Sequence, residues 1–330
     1  MHMADALVSP AVAGTMLVCS GVAAGWSVHK VRLEDDQKKI PVMGVMGAFV
    51  FAAQMINFTI PGTGSSGHLC GGLMLSAILG PYAGFLTMIG VLLIQCLFFA
   101  DGGLLALGCN VWNMAFYGCF VGALLIWKPM MKSGISRKKI WIASILGCVL
   151  TLQMGAFSVS VETLVSGITE LPFSVFVAAM QPIHLAIGAV EGLITAVVLS
   201  FLYEARPELL YGSDLKKEDG LSFGWTVGIL AAAAAVIGGL VSLFASSLPD
   251  GLEWAMERVA GTAELEAAGG VYDAAARVQE ATSILPDYAF RGSGSAAGTT
   301  VSGLVGALIV LALCVLCCLL FRFFRKKTAL

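Results

Sequence analysis

Long apolar runs alternate along this chain with short polar breaks and one long polar stretch near the end. Span-length apolar runs cover roughly 10–28, 140–160, 174–203, 222–247 and 300–321. Between 41 and 127 the apolar pattern is interrupted at 57–68, at Gly80-Pro81 and at Asp101-Gly102-Gly103. A transmembrane helix needs about 20 mostly apolar residues, so these runs predict membrane-spanning helices. The stretch 69–80 is short for a full crossing, which makes a re-entrant element there the expectation. A segment rich in charge, Pro and Gly, "YEARPELLYGSDLKKEDG", separates two apolar blocks and is the natural module boundary. The predicted organisation is a binding component over 1–203, a cytoplasmic linker over 204–221 and a two-span module over 222–330 with an outer loop at 248–299.

Composition supports this picture. The chain is 58% hydrophobic and 12% charged, with mean hydropathy +0.88. Soluble domains carry about 25% charged residues, so the fold class is an all-α polytopic membrane protein in a lipid bilayer, with about seven spans followed by two. A net charge of −2 provides no basic field for nucleic acid. The nine Cys lack zinc-ribbon or disulfide-framework spacing. Cys314-x-x-Cys317-Cys318 falls in an apolar helix and reads as packing.

Charge distribution then orients the chain. Lys30, Arg32, Lys38 and Lys39 fill the first polar break; Lys128, Lys132, Arg137, Lys138 and Lys139 fill the second. Arg206, Lys216 and Lys217 lie in the third, and Arg322, Arg325, Lys326 and Lys327 form the tail. Basic loops stay in the cytoplasm, which places the amino terminus outside and the carboxyl terminus inside the cell membrane. The 248–299 stretch carries Asp250, Glu253, Glu257, Glu264, Glu266, Asp273, Glu280 and Asp287, and faces outward.

Only four histidines occur. His29 heads a basic loop and reads as a solvated interfacial residue. His2 lies in "MHMADALVSP", which has neither the basic start nor the A-x-A-like end of a cleaved signal. A free α-amine, the next peptide nitrogen and a second-position imidazole can close adjacent chelate rings around one cation. Three nitrogens in a plane suit Ni(II) or Cu(II), with one in-plane position open. The competing reading is a frayed terminus. In "NFTIPGTGSSGHLCGG", Gly62 and Gly67 have phosphate-loop spacing, but His68-Leu69 stands where Lys-Ser/Thr is required. What remains is a Gly/Ser-rich outer loop whose His68 can supply the fourth nitrogen, or can be structural.

In "MQPIHLAIGAVEGLITA", His184 and Glu191 are seven apart and share a helix face. Intramembrane ionisable residues often mark a pathway; an internal hydrogen-bonded pair that fixes packing is the alternative. Asn110 and Asn113 share a face in "DGGLLALGCNVWNM" and are expected as interhelical glue, with a pathway role second. No zinc-protease helix, nucleophile elbow, Walker motif or paired haem histidines occur. The chain is therefore not expected to be an enzyme, and energy for an active process must come from another chain.

With these residues in hand, "MHMADALVSP" is similar to an M-H-x-x-D-x-x-x-S-P pattern, and "IPGTGSSGHLCGG", "GGLLALGCNVWNM" and "PIHLAIGAVEGLITA" resemble three further segments of the same family. That family is the CbiM/NikM substrate-binding component of energy-coupling-factor cobalt and nickel transporters. "LPDGLEWAMERVAG" and "LPDYAFRG" resemble the PDGLE form of its CbiN/NikN partner, here fused. The resemblance implies that the Met1 amine, the His2 nitrogens and His68 bind Ni²⁺ or Co²⁺ as transported substrate, with no organic cofactor. It also implies a CbiQ/NikQ-type coupling protein and two CbiO/NikO-type cytoplasmic ATPases as partners. A nitrogen-only planar site leans toward nickel. The rival readings are a membrane oxidoreductase using Cys314, Cys317 and Cys318 or haem, and a binding component for an organic vitamin.

Overall fold

The computed structural model describes residues 1–31, 39–215, 220–263, 265–292 and 297–328. Arg32, Lys38, Lys216, Lys217 and Glu264 lie outside the described residues, as do the side chains of Arg322, Arg325, Lys326 and Lys327. The first block contains seven helices: α1 Pro10–Lys30, α2 Lys39–Gln54, α3 Gly72–Leu79, α4 Pro81–Phe99, α5 Leu107–Met131, α6 Arg137–Ser166 and α7 Phe173–Ala205. A two-strand hairpin, β1 Phe58–Ile60 and β2 Ser65–Gly67, sits between α2 and α3. The second block contributes α8 Phe223–Gly239, α9 Gly251–Ala260, α10 Gly270–Thr282 and α11 Ala297–Thr328.

Seven of the described helices are long and apolar enough to cross a bilayer: α1, α4, α5, α6, α7, α8 (counted with its short extension to Phe244) and α11. The shorter α2 has 16 residues. The outlier is α3. Its eight residues rise about 12 Å, well short of the roughly 30 Å hydrocarbon core, and every one of them is buried. It is the short element expected between 69 and 80. Its backbone lies inside protein rather than lipid, where irregular structure at membrane depth is tolerated. The Gly80-Pro81 break turns the chain straight into α4, with Gly80 at φ +81° and Pro81 at the first helical position.

Helix ends follow local chemistry. Ser9 accepts from the Val12 N–H to start α1, and Ser136 and Ser222 do the same for α6 and α8. The core between helices is packed by Trp127, Phe51, Phe85, Phe99 and Phe176, all fully buried. Trp127 also donates from Nε1 to the Tyr211 carbonyl, tying the linker to α5. Against α2 lie α8 and α11, which approach each other where Gly238 and Gly303 face backbone to backbone. Such close approach through small residues is the usual basis of helix association in lipid.

The polar stretch of the second block returns to the first. Ser66 N–H donates to the Pro249 carbonyl at 2.8 Å, and Ser66 Oγ to the Leu248 carbonyl at 2.7 Å. Trp254 Nε1 reaches the Thr63 carbonyl at 2.9 Å, and Ser246 N–H reaches the Asn57 carbonyl at 2.7 Å. On the opposite side Tyr272 Oη donates to the Val8 carbonyl, and Gln279 to the Cys96 and Gly102 carbonyls. Segment 246–282 thus covers the amino-terminal decapeptide, the hairpin and the α4–α5 loop together.

Candidate metal centre

Under that cover the first residues fold inward. Met1 and Met3 are buried, and the Met1 amine donates to His68 Nε2 at 2.7 Å. Asn110 holds the neighbouring backbone from both sides: the Met3 N–H donates to Oδ1 at 2.7 Å, and Nδ2 donates to the Met3 carbonyl at 3.1 Å. Asn113 donates to Glu162 Oε2 at 2.7 Å and touches Met3 Sδ at 3.5 Å. Both asparagines therefore contact the amino-terminal segment, and Asn113 also bridges α5 to α6. Gly102 makes room for it. Its φ is +80°, and a Cβ there would stand 2.8 Å from Asn110 Nδ2 and 3.2 Å from His2 Cβ.

His68 is oriented from below. Glu191 on α7 accepts the Cys70 N–H at 3.0 Å and the Gly71 N–H at 2.9 Å, which fixes the turn after His68. His68 Nδ1 faces the Leu69 carbonyl at 3.0 Å. A carbonyl can only accept, so Nδ1 carries the proton and the Nε2 lone pair points at the Met1 amine.

His2 stacks on His68, with ring centroids 5.2 Å apart and 16° between planes. A relay of amides reaches its ring. Gln54 donates to the Cys70 carbonyl, Gln95 donates to Gln54 Oε1 at 2.7 Å, and Gln95 Oε1 is left facing His2 Nε2 at 3.2 Å. Burial, only partly offset by Asp101, pushes the His2 pKa down to about 4. At neutral pH the ring therefore holds a single proton between two acceptors, Gln95 Oε1 beside Nε2 and Asp101 Oδ1 at 3.1 Å from Nδ1.

The remaining partner comes from the second block. Asp250 caps α9, accepting from the Leu252 and Glu253 N–H groups while Glu253 accepts from the Asp250 N–H. This capping box holds the carboxylate still. Its other oxygen accepts from the Met1 amine at 2.5 Å and stands 3.6 Å from His68 Nε2. Burial works against charge at the amine, but the adjacent Asp250 outweighs it, and the amine pKa lies above its ordinary 8.0. Burial would raise the Asp250 carboxyl too, yet the adjacent ammonium holds it well below the usual range.

Among the described residues no three His, Cys, Asp or Glu side chains cluster as a metal site. The nitrogens gathered here belong to a terminal amine, the following peptide and two imidazoles. Of the residues singled out in the sequence, Met1, His2 and His68 come together, Asn110, Asn113 and Glu191 position them, and His184 lies beneath them. Asp101, Asp250, Gln54, Gln95 and Glu162 were not singled out. Asp250 alone had a local signal, the D-x-x-E of its capping box.

Residues 2–209 match the family model "Cobalt uptake substrate-specific transmembrane region", CbiM. The chain belongs to this family. Residues 224–323 match the PDGLE domain. A relative in Archaeoglobus fulgidus, named for fused nickel transport (NikMN), is 34% identical over 95% of this chain and 96% of its own length. The "Fused nickel transport protein NikMN" of Rhodobacter capsulatus is 31% identical over 64% of each chain, and the "Cobalt transport protein CbiM" of Sorangium cellulosum is 31% identical over 57% of this chain and 84% of its own. A crystal structure of a truncated transition metal transporter superposes with TM-score 0.54 at 30% identity, covering 62% of this chain and 99% of that one. The chain is thus a multi-pass CbiM-family membrane component of nickel or cobalt transport, of the fused NikMN type, and a transporter subunit rather than an enzyme.

Proposed function

We propose that the chain is the substrate-specific component of an energy-coupling-factor importer, and that Ni²⁺ or Co²⁺ binds the Met1 amine, the His2 peptide and imidazole nitrogens, and His68 Nε2. The observation that carries this is the 2.7 Å approach of the amine to His68 Nε2. Two nitrogens bound cis at about 2.0 Å from one metal lie about 2.8 Å apart. The two donors thus already stand at the spacing that one shared ion would set, and loading needs little movement of either. The His2 ring is neutral, and His68 Nε2, with its proton on Nδ1, keeps a lone pair ready to bind. The planar nitrogen set favours nickel over cobalt.

On this reading residues 1–203 form the binding unit, 204–221 the linker and 222–330 the PDGLE module. Asp250 from that module closes the site while it is empty, holding the amine as ammonium. The amino terminus and the polar segment face outward and the basic breaks face the cytoplasm. A transmembrane coupling protein and two cytoplasmic ATPases supply the energy, since no nucleotide motif is present in the chain.

Titration of the purified full chain with Ni²⁺ and with Co²⁺ tests the site. His2→Ala and His68→Ala should each weaken binding by at least about 100-fold, at the upper end of what is lost when a metal ligand's support is removed. Wild-type affinity in either variant would rule the site out.

A further inference from the structure

His184 has no part in the centre above, yet α7 holds it beneath that centre, 1% exposed. Its Nδ1 lies 2.7 Å from the Met180 carbonyl, one turn back. Because the carbonyl accepts, Nδ1 carries the proton and Nε2 keeps a lone pair. That Nε2 is buried and has no hydrogen-bond partner. Buried acceptors are nearly always satisfied, so an orphan needs a reason. An imidazole whose Nδ1–H is tied to a carbonyl, with Nε2 free, is the usual arrangement of a metal-ligating histidine.

A small cavity adjoins His184. Met1, His68, Cys70, His184, Asp250 and Gly251 border one cavity of ≈ 10 Å³. That is room for about one water molecule or a bare ion. Met1 and His68 line it together with His184. Gly251, the first residue of α9, keeps the cavity open: a Cβ there would stand 3.1 Å from His184 Nε2 and 2.8 Å from Ile187 Cδ1.

We propose that His184 Nε2 is the receiving ligand of an inner station, through which a divalent transition metal passes on leaving the outer centre. The proposal rests on the amine, His2 and His68 reading of that centre. A planar nitrogen set leaves both axial faces open, and ligand exchange at planar ions proceeds by entry of a fifth ligand from such a face. His184 enters as a neutral donor. The Met1 amine and His2 peptide nitrogen then leave the ion and each recover a proton from water, and the amine re-forms its pair with Asp250. No electron changes hands. The absence of a ready-made three-ligand cluster among the described residues suits a station that an ion passes through rather than rests in.

The test uses the full chain in detergent with the outer centre disabled by His2→Ala, titrated with CoCl₂ and followed by the visible bands of bound Co²⁺. His2→Ala should retain a weak residual binding that the double variant His2→Ala/His184→Ala lowers by a further factor of about ten or more. Equal binding by the two proteins, including none by either, would overturn the proposal. Wild-type affinity in His2→Ala alone would instead remove the outer-centre reading. In cells carrying the whole transporter, His184→Asn and Gly251→Ala, each checked for folding by size exclusion, should cut Ni²⁺ uptake by about tenfold or more. Wild-type uptake by both would also overturn it.

Discussion

Raising the pH by one unit around neutrality should tighten Ni²⁺ binding by about 100-fold, because loading the centre expels two protons. The amine contributes the first. Its partner Asp250 holds its pKa above 8.0, so it is an ammonium at neutrality and must lose a proton to bind. The His2 peptide N–H contributes the second. The rings contribute none: the His2 pKa near 4 leaves that ring neutral, and His68 Nε2 already accepts from the amine. Each proton released is worth a factor of ten per pH unit, and two are worth about 2.7 kcal/mol. The sign is fixed, since affinity rises with pH until the amine pKa is passed and then flattens to one proton. Asp250→Asn removes the anion that sustains the ammonium, and burial then drives the amine pKa down. In that variant the slope should fall toward one proton at neutral pH. Calorimetric titration in two buffers of different ionisation enthalpy counts the protons directly. A wild-type count of one or zero, or a count of two in both proteins, would refute the reasoning.

Two further outcomes follow from the same geometry. An Ala inserted between Met1 and His2 moves the imidazole to third position, adds a chelate ring and fills the place given to His68; Ni²⁺ titration should then no longer depend on His68. Gly102→Ala forces a side chain onto a φ of +80° and against Asn110 and His2; it should cost about 1–3 kcal/mol in thermal unfolding and weaken Ni²⁺ binding by about tenfold or more.

The spans could be read from the sequence because lipid imposes a length and polarity that each helix must satisfy by itself. The short α3 was visible for the same reason: 69–80 holds too few residues to cross. Half of the candidate centre was legible too, since His2 beside the amino terminus is a local pattern and His68 was one of four histidines. The other half depends on tertiary contact. Asp250 reaches the Met1 amine across 249 positions, and nothing in its own segment says which cation it will meet. Gln54 and Gln95 each read as a single polar residue in an apolar run; their role exists only because α2 and α4 bring the two amides together. Glu162 is one carboxylate in a 30-residue helix, and its partner Asn113 lies on a different one. His184 and Glu191 share a face, as their spacing predicts, but they are not bonded to one another. Glu191 holds the His68 turn, while His184 turns to its own backbone and leaves Nε2 free.

The most direct measurement of the central claim is X-ray absorption at the nickel K-edge on the full chain loaded with one equivalent of Ni²⁺. Binding by the amine, the two His2 nitrogens and His68 requires four nitrogen neighbours, no sulfur, and the pre-edge feature of a planar ion. A six-coordinate shell dominated by oxygen, or a spectrum unaltered by His68→Ala, would contradict it.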